Sequence, residues 1–106
     1  MLEKIINDVV LWHKKTFPDA TKETQIQKLE EELREYFVKY EESELADVII
    51  CSIALWRRFD CRVGYAVYRY ANSIILPSRI NDLVSEKMII NRQRKWKGVN
   101  GYYRHQ

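Results

Sequence analysis

The sequence is poor in the residues that make turns. Only three glycines and two prolines occur among its 106 residues. A sheet of many short strands needs frequent turns, and glycine and proline supply most of them. The composition therefore argues against an all-β fold. It favours a few long helices in a single domain that spans residues 1–106.

Cysteines and long apolar runs are also scarce. Cys51 and Cys61 are the only two cysteines, and they lack the CxxC spacing of redox and zinc sites. A disulfide framework is therefore not expected, which favours a reducing, cytoplasmic setting. No apolar run approaches the ~18 residues of a membrane span, so no membrane partner is expected. Charged residues such as Glu3, Lys4 and Asp8 interrupt the first eleven positions, unlike the apolar core of a signal peptide.

Charge is distributed unevenly along the chain. Residues 23–47 contain nine acidic and three basic side chains, whereas residues 57–106 contain eleven basic and three acidic ones. Two solvated helix faces that attract each other would explain this pattern. A site for a metal–polyphosphate complex would explain it too, because carboxylates bind the cation and basic groups bind the phosphates.

Apolar periodicity predicts an all-α bundle. A central helix is expected at 43–59, because that stretch is apolar on nearly every side. A capping box at Thr24-Gln25-Ile26-Gln27 is expected to begin the second helix. A turn at Asn100-Gly101 should interrupt a short C-terminal tail at 97–106. The helices are expected at 2–15, 24–40, 43–59, 60–76 and 78–96.

Two pairs of carboxylates have helical spacing. Glu32 and Glu35 share one face of the second helix, and Glu44 and Asp47 share a face of the next. Antiparallel packing of the two helices would bring the pairs together. A carboxylate in an apolar helix, such as Asp47, needs a partner. These four residues are therefore predicted to bind Mg²⁺, with Mn²⁺ as the other candidate. The alternative interpretation is two solvated acidic faces.

The last helix carries a cationic stripe. Lys87, Asn91 and Arg94 are spaced by four and three, so they share a face. Lysine and arginine bind polyphosphate, and an asparagine amide can bind a phosphate or sugar oxygen. The alternative is a solvated end or ion pairs with the acidic helix. The run 92–97, which contains Trp96, could instead bind nucleic acid, but the acidic middle would repel a phosphate backbone.

These motifs resemble a known family. The pattern ExxE followed by ExxD is typical of the all-α NTP pyrophosphohydrolases related to MazG and the dimeric dUTPases. The downstream basic segment, Trp12 and the stretch 16–21 are similar to small MazG-like proteins of phages and bacteria. The segment between Phe59 and Ile80 is longer than in a short MazG-like domain. The matching motifs are Glu31-Glu32-Leu33-Arg34-Glu35, Glu44-Leu45-Ala46-Asp47 and the segment 87–96.

The resemblance implies a bundle of four to five helices that chains complete by pairing into a homodimer or homotetramer. It implies magnesium-dependent cleavage of a (deoxy)nucleoside triphosphate into a monophosphate and pyrophosphate. Glu31 or Glu35 would then orient or deprotonate the attacking water. Lys87 and Arg94 would stabilise the phosphates, together with Asn91.

Base recognition and the rival functions are less constrained. Trp12 is the first candidate for stacking on the base, ahead of Tyr36, Trp56 and Trp96. His13 and His105 lack metal-site spacing, and a surface position is expected for both. The rival function is a non-catalytic helical interaction or accessory protein on the same scaffold. Nucleic-acid binding is the third alternative.

Overall fold

The computed structural model describes residues 2–105 and shows an all-α bundle with a C-terminal β-hairpin. The predicted all-α class and the helical character of 60–76 are confirmed. None of the helices in the described part of the chain could span a membrane. The elements are α1 Leu2–Thr16, α2 Lys22–Lys39, α3 Glu42–Ile53, a π-helical turn at Ala54–Arg58, α4 Arg62–Ile74, α5 Pro77–Gln93, β1 Trp96–Val99 and β2 Tyr102–His105.

Helix α3 lies at the centre of the bundle, as its composition predicted. Helices α2, α4 and α5 all pack against it. Its side chains Val48, Ile49 and Ile53 are almost fully buried. A helix is apolar on most sides when neighbours cover most sides, which explains why α3 is polar mainly on the face that carries Glu44 and Asp47.

The N-cap of helix α2 lies three residues before the predicted one, so the predicted cap was wrong. Thr21 is the N-cap, and its hydroxyl accepts a hydrogen bond from the Thr24 N–H at 3.1 Å. The Thr24 hydroxyl in turn accepts from the Thr21 N–H at 2.9 Å. Thr24 is thus the second member of the capping box, because a threonine hydroxyl replaces the usual Glu or Gln. At the other end, Tyr40 adopts a left-handed conformation with φ of 58° and reverses the chain into α3.

The C-terminal segment is a β-hairpin, so its prediction as a short tail was wrong. Strands β1 and β2 pair antiparallel from Trp96↔His105 to Val99↔Tyr102. Asn100 and Gly101 form the connecting turn with φ of 52° and 84°, as a two-residue hairpin turn requires. A Cβ at Gly101 would lie 2.5 Å from the Asp19 carbonyl oxygen, so the hairpin rests on the loop after α1. This contact places the hairpin beside the cavity described below.

Gly64 allows α4 to approach the end of α3 closely. A Cβ at this position would lie 2.5 Å from the Trp56 backbone nitrogen and 2.7 Å from the Ser52 carbonyl oxygen. Both atoms belong to the backbone and cannot rotate away. The helix crossing therefore depends on the missing side chain.

We expect Gly64→Ala to lower the free energy of unfolding by about 2 kcal/mol, because the helices must move apart to admit the methyl group. Urea denaturation followed by circular dichroism measures this loss. Gly98→Ala is the control, since the three atoms nearest to its Cβ all belong to the Tyr103 side chain rather than to backbone. A Gly64→Ala variant as stable as the control would contradict the close crossing.

Candidate active site

A cavity of about 470 Å³ opens between the helices and the hairpin. Its size suits a ligand as large as a nucleotide. One half is lined by carboxylates and basic groups from α2, α3 and α5, and the other half by aromatic rings from the C-terminal part of α1, the loop after it and the hairpin. The charged half contains Lys28, Glu31, Glu32, Glu35, Lys39, Glu44, Asp47, Lys87, Asn91 and Arg94.

The predicted metal ligands converge in the charged half. One carboxylate oxygen from each of Glu32, Glu35 and Glu44 lies within 4.8 Å of the other two. Asp47 lies close to this group: beside the larger effect of burial, its charge helps to raise the pKa of Glu32, and the charge of Glu44 helps to raise the pKa of Asp47. The convergence follows from the i,i+3 spacing on each helix and from the sharp turn that folds α3 back along α2.

Each of three carboxylates has a lysine as counter-ion. Lys28 pairs with Glu32, Lys39 with Glu44, and Lys87 with Asp47, each at 3.3 Å. All three lysines line the same cavity. In contrast, no hydrogen bond or ion pair to Glu35 occurs within residues 2–105. The acidic cluster is therefore only partly neutralised by the protein's own cations.

Two carboxylate oxygens of the cluster are buried without a hydrogen bond. They are Oε2 of Glu32 and Oε2 of Glu44, and no partner reaches either one in the described part of the chain. A buried, unsatisfied carboxylate oxygen is costly, so its neighbourhood is expected to supply a cation. The donors are hard oxygens, the type preferred by Mg²⁺ and Mn²⁺. The residues present therefore fit a divalent ion.

Burial and crowding also shift the titration of the cluster. Burial is the main reason that the pKa of Glu32 rises to about 7, with Asp47 adding to the rise and Lys28 opposing it. Burial likewise raises the pKa of Asp47, although Lys87 counteracts part of the effect. Both shifts show that the folded, metal-free cluster disfavours full ionisation.

This shift gives Glu32 a distinctive contribution to stability. Its folded pKa of about 7 exceeds the ordinary value of 4.5, so the contribution is complete below pH 4.5 and is lost as pH rises through 7. We therefore compare the free energy of unfolding of Glu32→Gln with that of the parent protein. The difference in favour of the variant should grow by about 1 kcal/mol as the pH rises from 6.5 to 8. Denaturation in the presence of a chelator at both pH values measures this. A difference that stays constant with pH would contradict the raised pKa of Glu32.

The predicted cationic stripe reaches the same cavity. Lys87, Asn91 and Arg94 all line it. Asn91 is buried, and its Oδ1 accepts a hydrogen bond from Arg94 Nη1 at 3.3 Å. Lys87 belongs to this stripe and also contacts the acidic cluster, because it pairs with Asp47. Lys87 thus forms an ion pair, although with α3 rather than with the acidic helix α2, and it still faces the cavity.

Glu31 lies at the edge of the cavity under the hairpin. The Tyr102 hydroxyl donates to one of its oxygens, and Arg104 pairs with the other at 3.4 Å. The sequence motif does not predict these partners, because their positions depend on the hairpin. The one available signal was the Asn100-Gly101 turn, which folds Tyr102 and Arg104 back toward α2.

The aromatic half of the cavity contains the predicted Trp12. Its ring meets Phe17 edge to face at 5.1 Å and Trp96 at 6.0 Å between centroids. Phe17 also packs against Tyr103 at 4.7 Å. The other stacking candidates differ: Trp96 lines the cavity, whereas Tyr36 and Trp56 lie outside it, and Trp56 stacks on Tyr68. Phe17 and Tyr103 were not predicted from the sequence.

His13 is buried, so its predicted surface position was wrong. It faces α2 from the end of α1, where only 4% of its surface remains exposed. Arg58 Nη1 donates to its Nδ1 at 2.8 Å, and its Nε2 lies 3.0 Å from Gln25 Oε1. Burial, with a smaller effect of Arg58, lowers the pKa of His13 to about 4. His105 is exposed, as predicted, and meets Trp96 edge to face.

Comparison with known proteins agrees with this architecture. No family model matches the chain, and neither does any curated protein sequence. Among solved structures, the MazG-like pyrophosphohydrolase of cyanophage S-2L, bound to dGDP and three catalytic Mn²⁺ ions per active site, is similar, with a TM-score of 0.51 and 25% sequence identity. The likeness covers 100% of this chain and 97% of that chain. The all-helical fold of this chain fits the all-α MazG-like superfamily over the full length of the likeness.

Proposed function

We propose that this protein is a divalent-metal-dependent pyrophosphohydrolase that cleaves a (deoxy)nucleoside triphosphate into the monophosphate and pyrophosphate. The observation that carries the proposal is the acidic cluster with two buried, unsatisfied oxygens, open to a nucleotide-sized cavity. The similar cyanophage enzyme is a pyrophosphohydrolase with Mn²⁺ and a guanine nucleotide, which supports the same reaction class here.

Glu32, Glu35, Glu44 and Asp47 are proposed to hold the metal. The three-residue cluster supplies converging oxygens, and Asp47 adds a fourth carboxylate beside them. Mg²⁺ or Mn²⁺ bound there would neutralise the triphosphate and activate the attacking water.

The three lysines of the cluster are proposed to bind phosphate in the loaded enzyme. Lys28, Lys39 and Lys87 now neutralise carboxylates that a divalent cation would neutralise instead. Their ammonium groups would then be available to phosphate oxygens within the same cavity. Arg94, which donates a hydrogen bond to Asn91, adds a further cation to these lysines and would stabilise charge on the departing pyrophosphate.

Glu35 is proposed to orient the attacking water in this arrangement. A general base needs a free oxygen within reach of the proton that it accepts. Glu31 is engaged by Tyr102 and Arg104 through both oxygens, whereas Glu35 has no such partner and would keep its second oxygen for the water when the first binds the metal. Glu31 therefore fits better as the anchor for the hairpin that borders the site, although the sequence left both residues as candidates.

The aromatic half of the cavity is proposed to hold the nucleoside. Flat bases bind well against aromatic rings, and Trp12, Trp96 and Tyr103 line this end. The phosphates would then extend toward the lysines and carboxylates at the opposite end. This division of the cavity explains why one small domain combines an acidic cluster with a group of aromatic rings.

The protein is also proposed to assemble into a homodimer or homotetramer. Phe37 and Tyr40 pack around Tyr36 on α2, yet they stay 53% and 72% exposed, and Tyr70 beside them is 47% exposed. An apolar surface of this kind marks an interface. Light scattering should give at least twice the chain mass of 12.8 kDa, and Phe37→Glu should reduce it. A parent protein of single-chain mass would contradict this.

The reaction is tested by incubating the protein with each dNTP and Mg²⁺ or Mn²⁺ and separating the products. Equal amounts of monophosphate and pyrophosphate are expected. Release of a diphosphate and inorganic phosphate would place the cleavage at a different bond. No turnover with any nucleotide would favour the rival function, a non-catalytic interaction protein on this scaffold.

A further inference from the structure

Gln25 is a buried amide on the wall of the aromatic half of the cavity. Only 4% of its surface is exposed, and it lines the cavity together with Trp12 and Tyr103. Its Oε1 lies 3.0 Å from His13 Nε2, and its Nε2 donates to the Cys51 carbonyl oxygen at 3.1 Å. It is therefore a buried polar group that hydrogen bonds hold from two sides.

A chain of hydrogen bonds fixes the orientation of this amide. The Arg58 guanidinium can only donate, so His13 Nδ1, 2.8 Å away, must accept. The imidazole proton then lies on Nε2, which donates to Gln25 Oε1. The Cys51 carbonyl can only accept, so it independently places the amide nitrogen of Gln25 on its side. Both ends of the chain thus require the same amide orientation.

The chain persists at neutral pH because His13 stays neutral. Burial and Arg58 lower its pKa to about 4, so the imidazole keeps an acceptor for Arg58. Arg58 is itself anchored, since it donates to the carbonyl oxygens of His13 at 3.1 Å and Phe17 at 2.8 Å. It lies at the end of the π-helical turn, a local irregularity that often occurs at functional sites.

The amide retains unused hydrogen-bonding capacity. A primary amide has two N–H donors and two acceptor lone pairs, and the protein uses one of each. One donor and one acceptor therefore remain on a buried side chain that borders the cavity. Nucleobase edges present donors and acceptors side by side, and an Asn or Gln amide can pair with two of them at once.

We propose that Gln25 is the residue that discriminates between nucleobases, and that His13 and Arg58 are positioning residues that hold its amide. This inference rests on the proposed function, in which the cavity accepts a nucleoside triphosphate. A site built around a fixed hydrogen-bonding group rejects a base that leaves that group unpaired. The preferred base is therefore one that satisfies both free positions of the amide.

The test compares kcat/KM for the four dNTPs in the parent protein and in Gln25→Met, which keeps the length of the side chain and removes its hydrogen bonds. The ratio of the best to the worst substrate is expected to fall at least about tenfold, mainly through loss of the best substrate. Gln27→Met is the matched control, because Gln27 is exposed on the same helix. An unchanged ratio in Gln25→Met overturns the inference.

Variants of His13 separate positioning from a general structural role. His13→Phe keeps an aromatic ring but cannot donate to Gln25, so it should reduce the discrimination between bases. His13→Gln places an N–H donor near the former Nε2 and should restore most of it. Equal discrimination in both variants, each shown to be folded by circular dichroism, would contradict the positioning chain.

Failure of this inference can be distinguished from failure of the proposed function. Mn²⁺-induced thermal stabilisation should be the same in Gln25→Met as in the parent, since Gln25 is not among the proposed ligands. If the parent hydrolyses dNTPs and the Gln25→Met ratio is unchanged, only the inference fails. If the parent hydrolyses none, the proposed function fails. Quenching of tryptophan fluorescence by the four dNMPs then decides the inference, and equal affinities in the parent overturn it.

Discussion

Replacing Glu44 with glutamine is expected to lower kcat/KM for triphosphate hydrolysis by about 100-fold or more. Glu44 contributes one of the three converging oxygens and has a buried Oε2 without a hydrogen bond. Glutamine has nearly the same shape and retains one oxygen for Lys39, so the fold should persist while the metal loses a charged ligand. Pyrophosphate release at saturating Mg²⁺, with circular dichroism as the check on folding, measures the effect.

Glu30→Gln is the matched control for this substitution. Glu30 lies on α2 close to the cluster in sequence, but it is exposed and pairs with Arg34 at 3.4 Å outside the cavity. It should keep nearly full activity. Equal losses in both variants would mean that total negative charge matters rather than the geometry of the cluster, and full activity in Glu44→Gln would remove this residue from the site.

Metal binding is expected to stabilise the parent protein strongly and Glu35→Gln hardly at all. A ligand present at 100 times its Kd stabilises a folded protein by about 2.7 kcal/mol, which raises Tm by about 10 °C in a domain of this size. Glu35 is the cleanest position to test, because its charge raises the pKa of Glu32 and no ion pair of the described residues would be broken. Thermal scans with and without Mn²⁺ measure both states.

The metal-free Glu35→Gln variant should be as stable as the parent or more so. Removing one carboxylate relieves repulsion within the cluster when no cation is present. Asp47→Asn is a less direct probe, because it would leave the half-buried Lys87 without its partner. A large loss of stability in metal-free Glu35→Gln would show that this carboxylate has a structural role, and an undiminished Mn²⁺ shift would exclude it as a ligand.

The course of the helices could be predicted from the sequence because burial produces a regular pattern. Helix α3 is apolar on nearly every side and proved central, and the sparse glycine and proline content correctly excluded a large sheet. The ends of elements were predicted less well. Thr21 and Thr24 both fit a cap, and only the reciprocal hydrogen bonds show that Thr21 is the first residue of the box. Local propensity rarely separates such neighbouring alternatives.

The charged half of the cavity could also be predicted, whereas the aromatic half could be predicted only in part. Glu32, Glu35 and Glu44 are brought together by helical spacing and one short connection, both visible in the sequence. In contrast, Tyr103 reaches the cavity through a hairpin, and His13 meets Arg58 from 45 positions away. Contacts of this range depend on tertiary packing, which residue spacing alone does not encode.

The central claim is that carboxylates from α2 and α3 bind a divalent ion that carries a triphosphate. The most direct measurement is anomalous diffraction from crystals soaked with Mn²⁺ and a non-hydrolysable dNTP analogue. We expect a manganese peak within coordination distance of Glu32, Glu35 and Glu44, with the phosphates on its cavity side. Manganese peaks elsewhere only, with the three carboxylates still paired to lysines or facing solvent, would contradict the proposed site.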